Sequence, residues 1–371
     1  MNVIESTEAY ENALRKATTV NEAALTQKHD AMASDAFSHL RATYYRWIQR
    51  YQEYCKDLAA SGPRILAVGD LHVQNFGTWR DAEGRLVWGI DDFDEADQGI
   101  PFASDLVRLA ASAILSADIR LSAEDICQAA LRGYNAGLSI DSAPFVLDGK
   151  HQWLRDHALN ALKAPEKFWK KWLNEKTVEI QESEVDPTAI AALAAEYPEG
   201  ATPETFRIAS PEKGLGSLGR HRYFAYNANW LGGPIGREVK ASVSPATQIE
   251  NAGNVSFVDE IQHRAVRSPD PLYRLRDRWV CKPILATTGR IEMEDLTDGL
   301  DQGELLEAMG QETANVHRGS SGDADGLHNG LTDLKAETAF LDAVRTMVTQ
   351  TERDWKEWSE HWTAAKDAKV E

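Results

Sequence analysis

Apolar and aromatic residues recur at helical spacing from about residue 30 to residue 61, in a stretch that ends in Ser-Gly-Pro. This pattern predicts one long helix with a defined end. The short apolar run RILAV (64–68) predicts a strand, and NFGTWRDAEGRLVWGI (75–90) predicts two short strands around the turn DAEG. Helical periodicity then dominates from residue 101 to about Leu193. We therefore expect the first half of the chain to be mainly helical, with a small β element inside it.

The pattern changes between residues 182 and 205, where Pro, Glu and Ala are frequent and large apolar residues are few. Beyond this boundary the sequence is rich in glycine and alternates between apolar and polar residues, which is typical of strands. Helical patterns return near residue 300, and a Gly/Asp-rich loop precedes a last helix from about Asp333 to Ala365. We predict an α+β fold with three parts: a helical lobe (1–190), a β-rich lobe (205–295) and C-terminal helices that pack back on the helical lobe (300–371).

The 371 residues carry a net charge of −18, and 43% of them are hydrophobic. That length suits one large two-lobed unit or two domains, with a sizeable core. An acidic chain is a poor candidate for nucleic acid or an anionic membrane surface, because both are bound mainly through Lys and Arg. The N-terminus has no basic segment followed by an apolar one, so no secretory signal is visible. The three cysteines, Cys55, Cys127 and Cys281, form no CxxC pattern, which fits free thiols in a reducing cytoplasm. We therefore expect a cytoplasmic protein with no nucleic-acid and no membrane partner; the oligomeric state stays open.

Three oxygen-bearing side chains converge on the predicted hairpin. Asp70 follows the strand RILAV, Asn75 lies five residues later, and Asp92 follows the second strand of the hairpin. Pairing about the turn DAEG places Asn75 opposite Ile90, within a residue or two of Asp92. Asn and Asp oxygens suit Mg²⁺, which prefers one or two carboxylates plus substrate phosphates, and a nearby carboxylate can accept a hydroxyl proton. We predict Asn75 and Asp92 as Mg²⁺ ligands, Asp94 as a supporting carboxylate and Asp70 as a catalytic residue; a purely structural Gly-Asp turn is the alternative.

The stretch KGLGSLGRHRYFAY carries Gly-x-Gly-x-x-Gly and runs into an alternating pattern. A glycine-rich turn between two strands is the form in which kinases cover nucleotide phosphates with backbone N–H groups. That form also needs a lysine on a nearby strand, and the turn NANWLGGP folds Lys240 back to about His221, just beyond the glycines. The predicted nucleotide-binding residues are Gly214, Gly216, Ser217, Gly219 and Lys240. Glu260 is the expected ion-pair partner of Lys240, with Asp259 as a competitor; glycines that only form turns and a solvated lysine are the alternative.

The spacing of Asp70, Asn75 and Asp92 has a counterpart in kinases, in which one Asp positions the acceptor hydroxyl and an Asn and a second Asp hold Mg²⁺. GDLHVQN resembles the catalytic loop of aminoglycoside and choline phosphotransferases, and IDDFDEADQGIPFASDL resembles their metal-binding segment. This resemblance implies that Asp105 braces the catalytic loop. In kinases the glycine-rich loop and the lysine come first, whereas here they follow the Asp…Asn loop. The resemblance therefore implies a kinase-like two-lobed fold in permuted order.

The combination of motifs resembles a bacterial family catalogued as domain of unknown function 2252, whose members look like permuted kinases. The matching stretches are VGDLHVQNFG, IDDFDEADQGIPFASDLVRLAAS, GLGSLGRHRYFAY, REVKAS and TANVHRGSSGD, between about residues 64 and 323. Val68 stands where the aminoglycoside enzymes usually have His, Asp91 where the family is expected to have Asn, and VHRG replaces an expected Ala-His-Ala. These departures leave the core Asp, Asn and Lys intact.

The resemblances imply a phosphotransferase that uses ATP and Mg²⁺ to phosphorylate a hydroxyl of an unidentified small molecule. A kinase-like nucleotide-binding protein without turnover and an enzyme that transfers AMP are alternatives. ILAVGDLHV also resembles the first motif of calcineurin-like metallophosphoesterases, but the chain has no Gly-Asn-His and no Gly-His-x-His to complete a dinuclear site. The aromatic stretch 151–173 is a candidate lining for an acceptor pocket, or a solvated helix with its Trp and Leu side chains packed inward.

Overall fold

The computed structural model describes residues 1–162, 164–175, 177–211, 219–250, 254–296, 298–335 and 338–368. These ranges are mostly helical with a smaller share of strand, so the α+β prediction is confirmed. The helices are α1 (Val3–Ala17), α2 (Glu22–Ser34), α3 (Ala36–Ala42), α4 (Tyr44–Tyr54), α5 (Lys56–Ala60), α6 (Phe102–Leu115), α7 (Ala123–Gly137), α8 (Gln152–Ala161), α9 (Pro165–Glu175), α10 (Pro187–Ala194), α11 (Val258–Arg264), α12 (Gly299–Ser321), α13 (Ala324–Lys335) and α14 (Ala339–Asp367). The strands are β1 (Arg64–Ala67), β2 (Phe76–Arg80), β3 (Leu86–Ile90), β4 (Asp97–Pro101), β5 (Thr177–Glu179), β6 (Arg207–Pro211), β7 (Arg222–Trp230), β8 (Gly233–Ala241), β9 (Arg274–Arg276) and β10 (Trp279–Ile284).

Six strands form an antiparallel sheet in the order β5-β6-β7-β8-β10-β9. Tyr223 and Val239 lie on one face of the sheet and share a small core with α10. Phe224 and Tyr226 lie on the opposite face, where the Trp172 ring of α9 packs edge-on against both. Successive strand residues point to opposite faces, so the alternating sequence buries both faces of the sheet against helices.

The largest core lies in the helical part of the protein, where α6 is buried on nearly every side. A helix with no solvent-exposed face lies at the centre of a protein, and the charged side chains of α6 are accordingly buried and paired. α7 and α12 cross so closely that a Cβ on Gly133 would lie 1.8 Å from the Glu307 carbonyl oxygen. A Cβ on Gly310 would lie 2.2 Å from the Ala130 carbonyl oxygen. Glycine at these two positions therefore permits the crossing, and the ladders β1–β4 and β2–β3 pack against the core that results.

The predicted long helix over residues 30–61 is instead divided among α2, α3, α4 and α5. Asp35 separates α2 from α3, because its carboxylate accepts a hydrogen bond from the Ser38 N–H at 2.7 Å and caps the new helix. The predicted Gly/Asp-rich loop is largely the helix α13. Gly322 ends α12 in the left-handed conformation (φ +66°), and α13 begins two residues later. Single capping residues decide both boundaries, which the wider apolar periodicity does not show.

The sheet begins earlier in the chain than the predicted boundary at residue 205. β5 is its first strand, and α10 packs on one of its faces. After the sheet, α12 returns to the helical part, where Ser320 Oγ donates a hydrogen bond to the Leu66 carbonyl of β1 at 2.8 Å. α14 then packs against α2, α4 and α6. Among the described residues, no helix combines the length and the apolar character needed to cross a membrane.

Candidate active site

The loop after β1 is held in place by Asp105, close to the start of α6. The Asp105 carboxylate accepts hydrogen bonds from the Val68 N–H at 2.7 Å and the Gly69 N–H at 3.0 Å. Gly69 has a φ of +84°, and a Cβ there would lie 2.3 Å from the Glu95 carbonyl oxygen. This backbone conformation suits only glycine. The loop therefore presents Asp70 in one defined position.

Asp105 is held in turn by His317 of α12. The Asp105 carboxylate lies 3.0 Å from His317 Nε2, and His317 Nδ1 lies 2.9 Å from the Tyr134 hydroxyl. All three side chains are fully buried. Asp105 thus connects the loop that carries Asp70 to α12. No local pattern identifies His317 as the partner of Asp105, because the two residues are far apart in the chain.

Asp70 pairs with Arg108, whose guanidinium is completely buried. Arg108 Nε donates a hydrogen bond to Asp70 Oδ1 at 3.0 Å, and Arg108 Nη2 donates to the same oxygen. The guanidinium lies 5.1 Å from the ring centres of both Tyr44 and Trp47, so cation–π contacts also hold it. Burial raises the pKa of Asp70 to about 6, although the charge of Arg108 opposes the shift. Asp70 is therefore mostly ionised at neutral pH and is well placed to take up a proton.

The β2–β3 hairpin pairs one residue out of the predicted register. Phe76 lies opposite Ile90, whereas the sequence pattern places Asn75 there. The turn is longer than predicted because the Asp81 carboxylate accepts hydrogen bonds from two N–H groups inside it. The shift moves Asn75 one position closer to the carboxylates that follow β3.

Asn75 connects the two loops that the hairpin brings together. Its carbonyl accepts a hydrogen bond from the Asp91 N–H at 3.0 Å, and its side-chain amide donates to the Asp70 carbonyl at 2.5 Å. Asp92 follows Asp91 in the chain, so the three predicted residues lie around one point. Asp70, Asn75 and Asp92 all line a single cavity of about 280 Å³.

Lys240 reaches this acidic loop from β8. Its Nζ lies 3.5 Å from Asp92 Oδ2 and pairs directly with Asp94 Oδ2. Lys240 is buried, with 3% of its surface exposed. Burial alone raises the pKa of Asp92, but the charges of Lys240 and Lys282 outweigh it and hold that pKa well below the usual range. Asp92 is therefore ionised throughout the physiological pH range.

The predicted pair between Lys240 and Glu260 does not form. Glu260 instead pairs with Arg264 at 2.7 Å and accepts a hydrogen bond from the Gln98 side chain at 3.0 Å. The competitor Asp259 accepts a hydrogen bond from the Leu275 N–H of β9 at 2.8 Å. The Lys240 side chain points toward the loop after β3, where Asp92 and Asp94 are the nearer carboxylates.

The glycine-rich segment is described only at its end. Gly214, Gly216 and Ser217 lie outside the described residues. Gly219 has a φ of +102°, and a Cβ there would lie 2.7 Å from Leu25 Cδ2. Its carbonyl accepts a hydrogen bond from the Asn21 N–H at 3.0 Å, so the N-terminal helices pack against this end of the segment.

Arg220, directly after this glycine, ties the glycine-rich segment to the acidic loop. Arg220 Nη1 lies 3.3 Å from Asp94 Oδ2, and Arg220 Nη2 donates to Glu95 Oε1 at 2.7 Å. The sequence analysis did not select Arg220 or Glu95. Asp94 pairs with both Lys240 and Arg220, and Glu95 pairs with Arg220. The described end of the glycine-rich segment, β8 and the loop after β3 therefore meet at one cluster of charges.

Four basic side chains that the sequence analysis did not select also line the cavity: Arg41, Arg222, Lys282 and Arg290. Arg222 of β7 lies directly opposite Lys240 of β8, so strand alternation could have identified it. Lys282 of β10 donates a hydrogen bond to the Asp91 carbonyl at 2.5 Å. Arg41 comes from a helix and Arg290 from a loop, and no local pattern marks either of them.

The carboxylates fit Mg²⁺ only together with a phosphate ligand. Within the described ranges, no three His, Cys, Asp or Glu side chains come together as a metal-binding group. Mg²⁺ in nucleotide sites needs only one or two protein carboxylates, because substrate phosphates and water complete its coordination. Asp94 Oδ1 is buried and accepts no hydrogen bond, so one carboxylate oxygen beside Asp92 is unsatisfied. Asn75 and Asp92, with Asp94 in support, are therefore suited to Mg²⁺ that arrives with a nucleotide.

A larger cavity, of about 750 Å³, adjoins the first one. The two share Arg41, Gln74 and Arg290 in their linings. Phe168 and Trp172 of α9 also line the larger cavity, while Trp172 packs on the sheet. Residues of the aromatic stretch 151–173 therefore line part of a cavity, and Trp169 and Trp172 in the same stretch are buried.

Comparisons with known proteins bear on the first half of the chain. No curated protein and no solved structure matches the sequence significantly. Residues 21–197 match the family described as an uncharacterized protein conserved in bacteria (DUF2252). This range contains Asp70, Asn75 and Asp92 but not the glycine-rich segment or Lys240. The first half of the chain is therefore similar to the family that the motifs VGDLHVQNFG and IDDFDEADQG resemble.

Proposed function

We propose that the protein is a phosphotransferase that moves the γ-phosphoryl group of ATP, as its Mg²⁺ complex, to a hydroxyl group of a small molecule. One observation carries the proposal. Asp70, Asn75 and Asp92 line the same cavity, and Lys240 reaches Asp92 from a distant part of the chain. Kinases use this set of side chains for phosphoryl transfer. Their catalysis consists mostly of positioning the reactants and stabilising charge, which these side chains can provide.

Each side chain has a role that follows from its surroundings. Asp70 orients the acceptor hydroxyl and takes up its proton, a role suited to a carboxylate with a pKa of about 6. Arg108 keeps Asp70 in position. Asn75 and Asp92 would hold Mg²⁺, which would compensate the negative charge on the transferred phosphoryl group. Lys240, which pairs with Asp92 and Asp94, would contact the nucleotide phosphates.

The strand order supports the nucleotide-binding part of the proposal. The glycine-rich segment joins β6 to β7, and Lys240 lies on β8, the next strand in the sheet. In protein kinases a glycine-rich loop also covers the phosphates, and the lysine lies on the third strand. The order of these elements along the chain is permuted relative to kinases. The hydrogen bond between Ser320 at the end of α12 and Leu66 of β1 is consistent with this order, because the chain that follows the sheet returns to the strand that precedes Asp70.

Thermal unfolding against ATP concentration, with and without Mg²⁺, tests the nucleotide site. A ligand that binds only the folded state raises the midpoint with the logarithm of its concentration above Kd. We expect a Mg²⁺-dependent rise for the wild type and for the exposed control Asp333→Asn. We expect little or no rise for Asp92→Asn and a weaker one for Lys240→Ala. No rise up to millimolar ATP, or an unchanged rise in Asp92→Asn, would contradict the proposal.

Product analysis tests the reaction itself. The protein is incubated with Mg²⁺ and ATP labelled at the α- or the γ-phosphate, together with a panel of hydroxylated small molecules. Transfer of the γ-label alone, abolished in Asp70→Asn, is the expected result. Transfer of the α-label would favour AMP transfer instead. Binding of ATP with no transfer to any acceptor would favour the nucleotide-binding protein without turnover.

A further inference from the structure

The two cavities meet at a pair of arginines. Arg41 lies at the end of α3 and Arg290 in the segment after β10, and both side chains line both cavities. Gln74, the residue before Asn75 on the catalytic loop, lines both cavities as well. A molecule that reaches Asp70 from the larger cavity must therefore pass these two guanidinium groups.

The carboxylates of Asp70, Glu292 and Asp35 act on Arg41 only beyond salt-bridge distance, so the pair has no direct ionic partner in the described part of the chain. The Nε atoms of Arg41 and Arg290 are both buried and donate no hydrogen bond. In the described part of the chain neither arginine forms a salt bridge, in contrast to the direct pairing of Arg108 with Asp70. Burial lowers the pKa of Arg41, and the positive charge of Arg290 lowers it further. Two like charges held together at a cavity wall are unfavourable unless an anion lies between them.

The pair differs in position from the other basic residues of the site. Lys240 and Gly219 line neither cavity, whereas Arg41 and Arg290 line both. Arg222 and Lys282 line only the smaller cavity. The arginine pair thus lies where the larger cavity adjoins the one that Asp70 lines. An acceptor that occupies the larger cavity meets the pair next to Asp70 if the phosphates lie against Lys240.

We infer that Arg41 and Arg290 bind an anionic group, a carboxylate or a phosphate, on the hydroxylated acceptor. The inference rests on the proposed function, since it concerns the substrate of the same site. Guanidinium groups suit this task because their planar N–H donors match carboxylate and phosphate oxygens in pairs. The carboxylates of Asp118, Glu292, Glu294 and Asp295 line the rest of the cavity and leave room for hydroxyl or cationic groups on the remainder of the acceptor. The acceptor class is therefore an acidic hydroxylated small molecule rather than a neutral or purely cationic one.

Inorganic phosphate and acetate are the probes for this anion site. The protein is first saturated with Mg²⁺ and a non-hydrolysable ATP analogue, so that the position of the γ-phosphate is filled. The rise in the thermal midpoint on adding each probe is then measured for the wild type, Arg41→Gln, Arg290→Gln and the exposed control Arg353→Gln. We expect phosphate or acetate to raise the midpoint of the wild type and of the control. In the two glutamine variants the apparent Kd for the anion should increase at least about tenfold.

The charge-preserving variants Arg41→Lys and Arg290→Lys should retain part of the anion effect, which separates lost charge from lost folding. The response to the nucleotide analogue should be the same in all the variants. No effect of either anion on the wild-type complex, or an unchanged effect in both glutamine variants, overturns the inference. Loss of the nucleotide response in the glutamine variants also overturns it, because the arginines then serve the nucleotide. If the thermal midpoint of the wild type does not respond to the nucleotide analogue, the proposed function is contradicted instead. The effect of the anions on the midpoint is then measured in the absence of the analogue.

Discussion

The loop that carries Asp70 and the wall of the larger cavity are built in opposite ways. On the loop, buried charges have close partners within the protein: Asp70 pairs with Arg108, and Asp105 with His317 and two backbone N–H groups. At the cavity wall, Arg41 and Arg290 form no salt bridge among the described residues, and the Nε of each is buried without an acceptor. We infer that the fold organises the first set of charges in advance, whereas the second set is available to a ligand.

Removing the Asp105 carboxylate should have the largest effect on the organised side. Asp105→Ala leaves the Val68 and Gly69 N–H groups and His317 without their buried acceptor. We expect the free energy of unfolding to fall by about 4 kcal/mol, because each buried donor left unsatisfied is costly. Urea denaturation measures this change, with Asp333→Ala as an exposed control. A loss below about 1 kcal/mol would show that the loop does not depend on this brace.

Replacing Arg108 should have the next largest effect. Arg108→Met leaves Asp70 without its partner, and breaking a buried pair costs about 3 kcal/mol. The pKa of Asp70, about 6 with the arginine present, should rise further because burial and the charges of Glu95 and Asp92 then act without the opposing charge of Arg108. NMR titration of the Asp70 carboxyl carbon measures the shift. An unchanged or lower pKa in the variant would contradict the role given to Arg108.

A third test concerns Glu312, a buried carboxylate beneath the β2–β3 hairpin that lacks such close partners. Burial raises its pKa to about 7 from a usual value of 4.5, and its Oε1 accepts no hydrogen bond. A carboxyl whose pKa is raised on folding stabilises the protein fully below pH 4.5, and this contribution is lost as the pH rises through 7. Glu312→Gln should therefore gain about 3 kcal/mol relative to the wild type between pH 4.5 and pH 8. Unfolding at a series of pH values measures the difference, and parallel curves for the two proteins would contradict it.

The smallest effect on stability is expected at the cavity wall. Arg41→Gln removes a charge that has no salt-bridge partner among the described residues and is repelled by Arg290. The free energy of unfolding should therefore stay within about 0.5 kcal/mol of the wild type or increase slightly. Comparing this variant with Arg108→Met by urea denaturation sharpens the contrast between the two regions. A loss of stability as large as that of Arg108→Met would show that Arg41 has a structural role.

Local pairing explains why part of the site could be predicted. Asp70 and Asn75 lie in the loop between β1 and β2, and Asp92 follows β3. The alternating pattern and the turn residues of the β2–β3 hairpin therefore bring them together. The register was wrong by one residue because Asp81 enlarges the turn, a detail of side-chain hydrogen bonding rather than of apolar pattern. The proximity survives that error, because a shift of one residue moves Asn75 by only one step along the strand.

Long-range packing explains what could not be predicted. The acidic partner of Lys240 was assigned to the next helix, Glu260, whereas the structure places Lys240 against Asp92 and Asp94. Arg108 lies on a helix whose other residues are almost all buried and apolar, and nothing in its neighbourhood along the chain identifies Asp70 as its partner.

The sequence by itself determined the α+β character, the β2–β3 hairpin and the gathering of Asp70, Asn75 and Asp92, because these depend on residue periodicity and on pairing between neighbouring segments. Only the tertiary structure decided which charges are paired and which are not. That outcome depends on contacts between residues far apart in the chain, such as Arg108 with Asp70 and His317 with Asp105. The tertiary structure also decided that Arg41 and Arg290 line the same cavity wall. The packing of a helix against a distant loop leaves no pattern in the sequence of either segment.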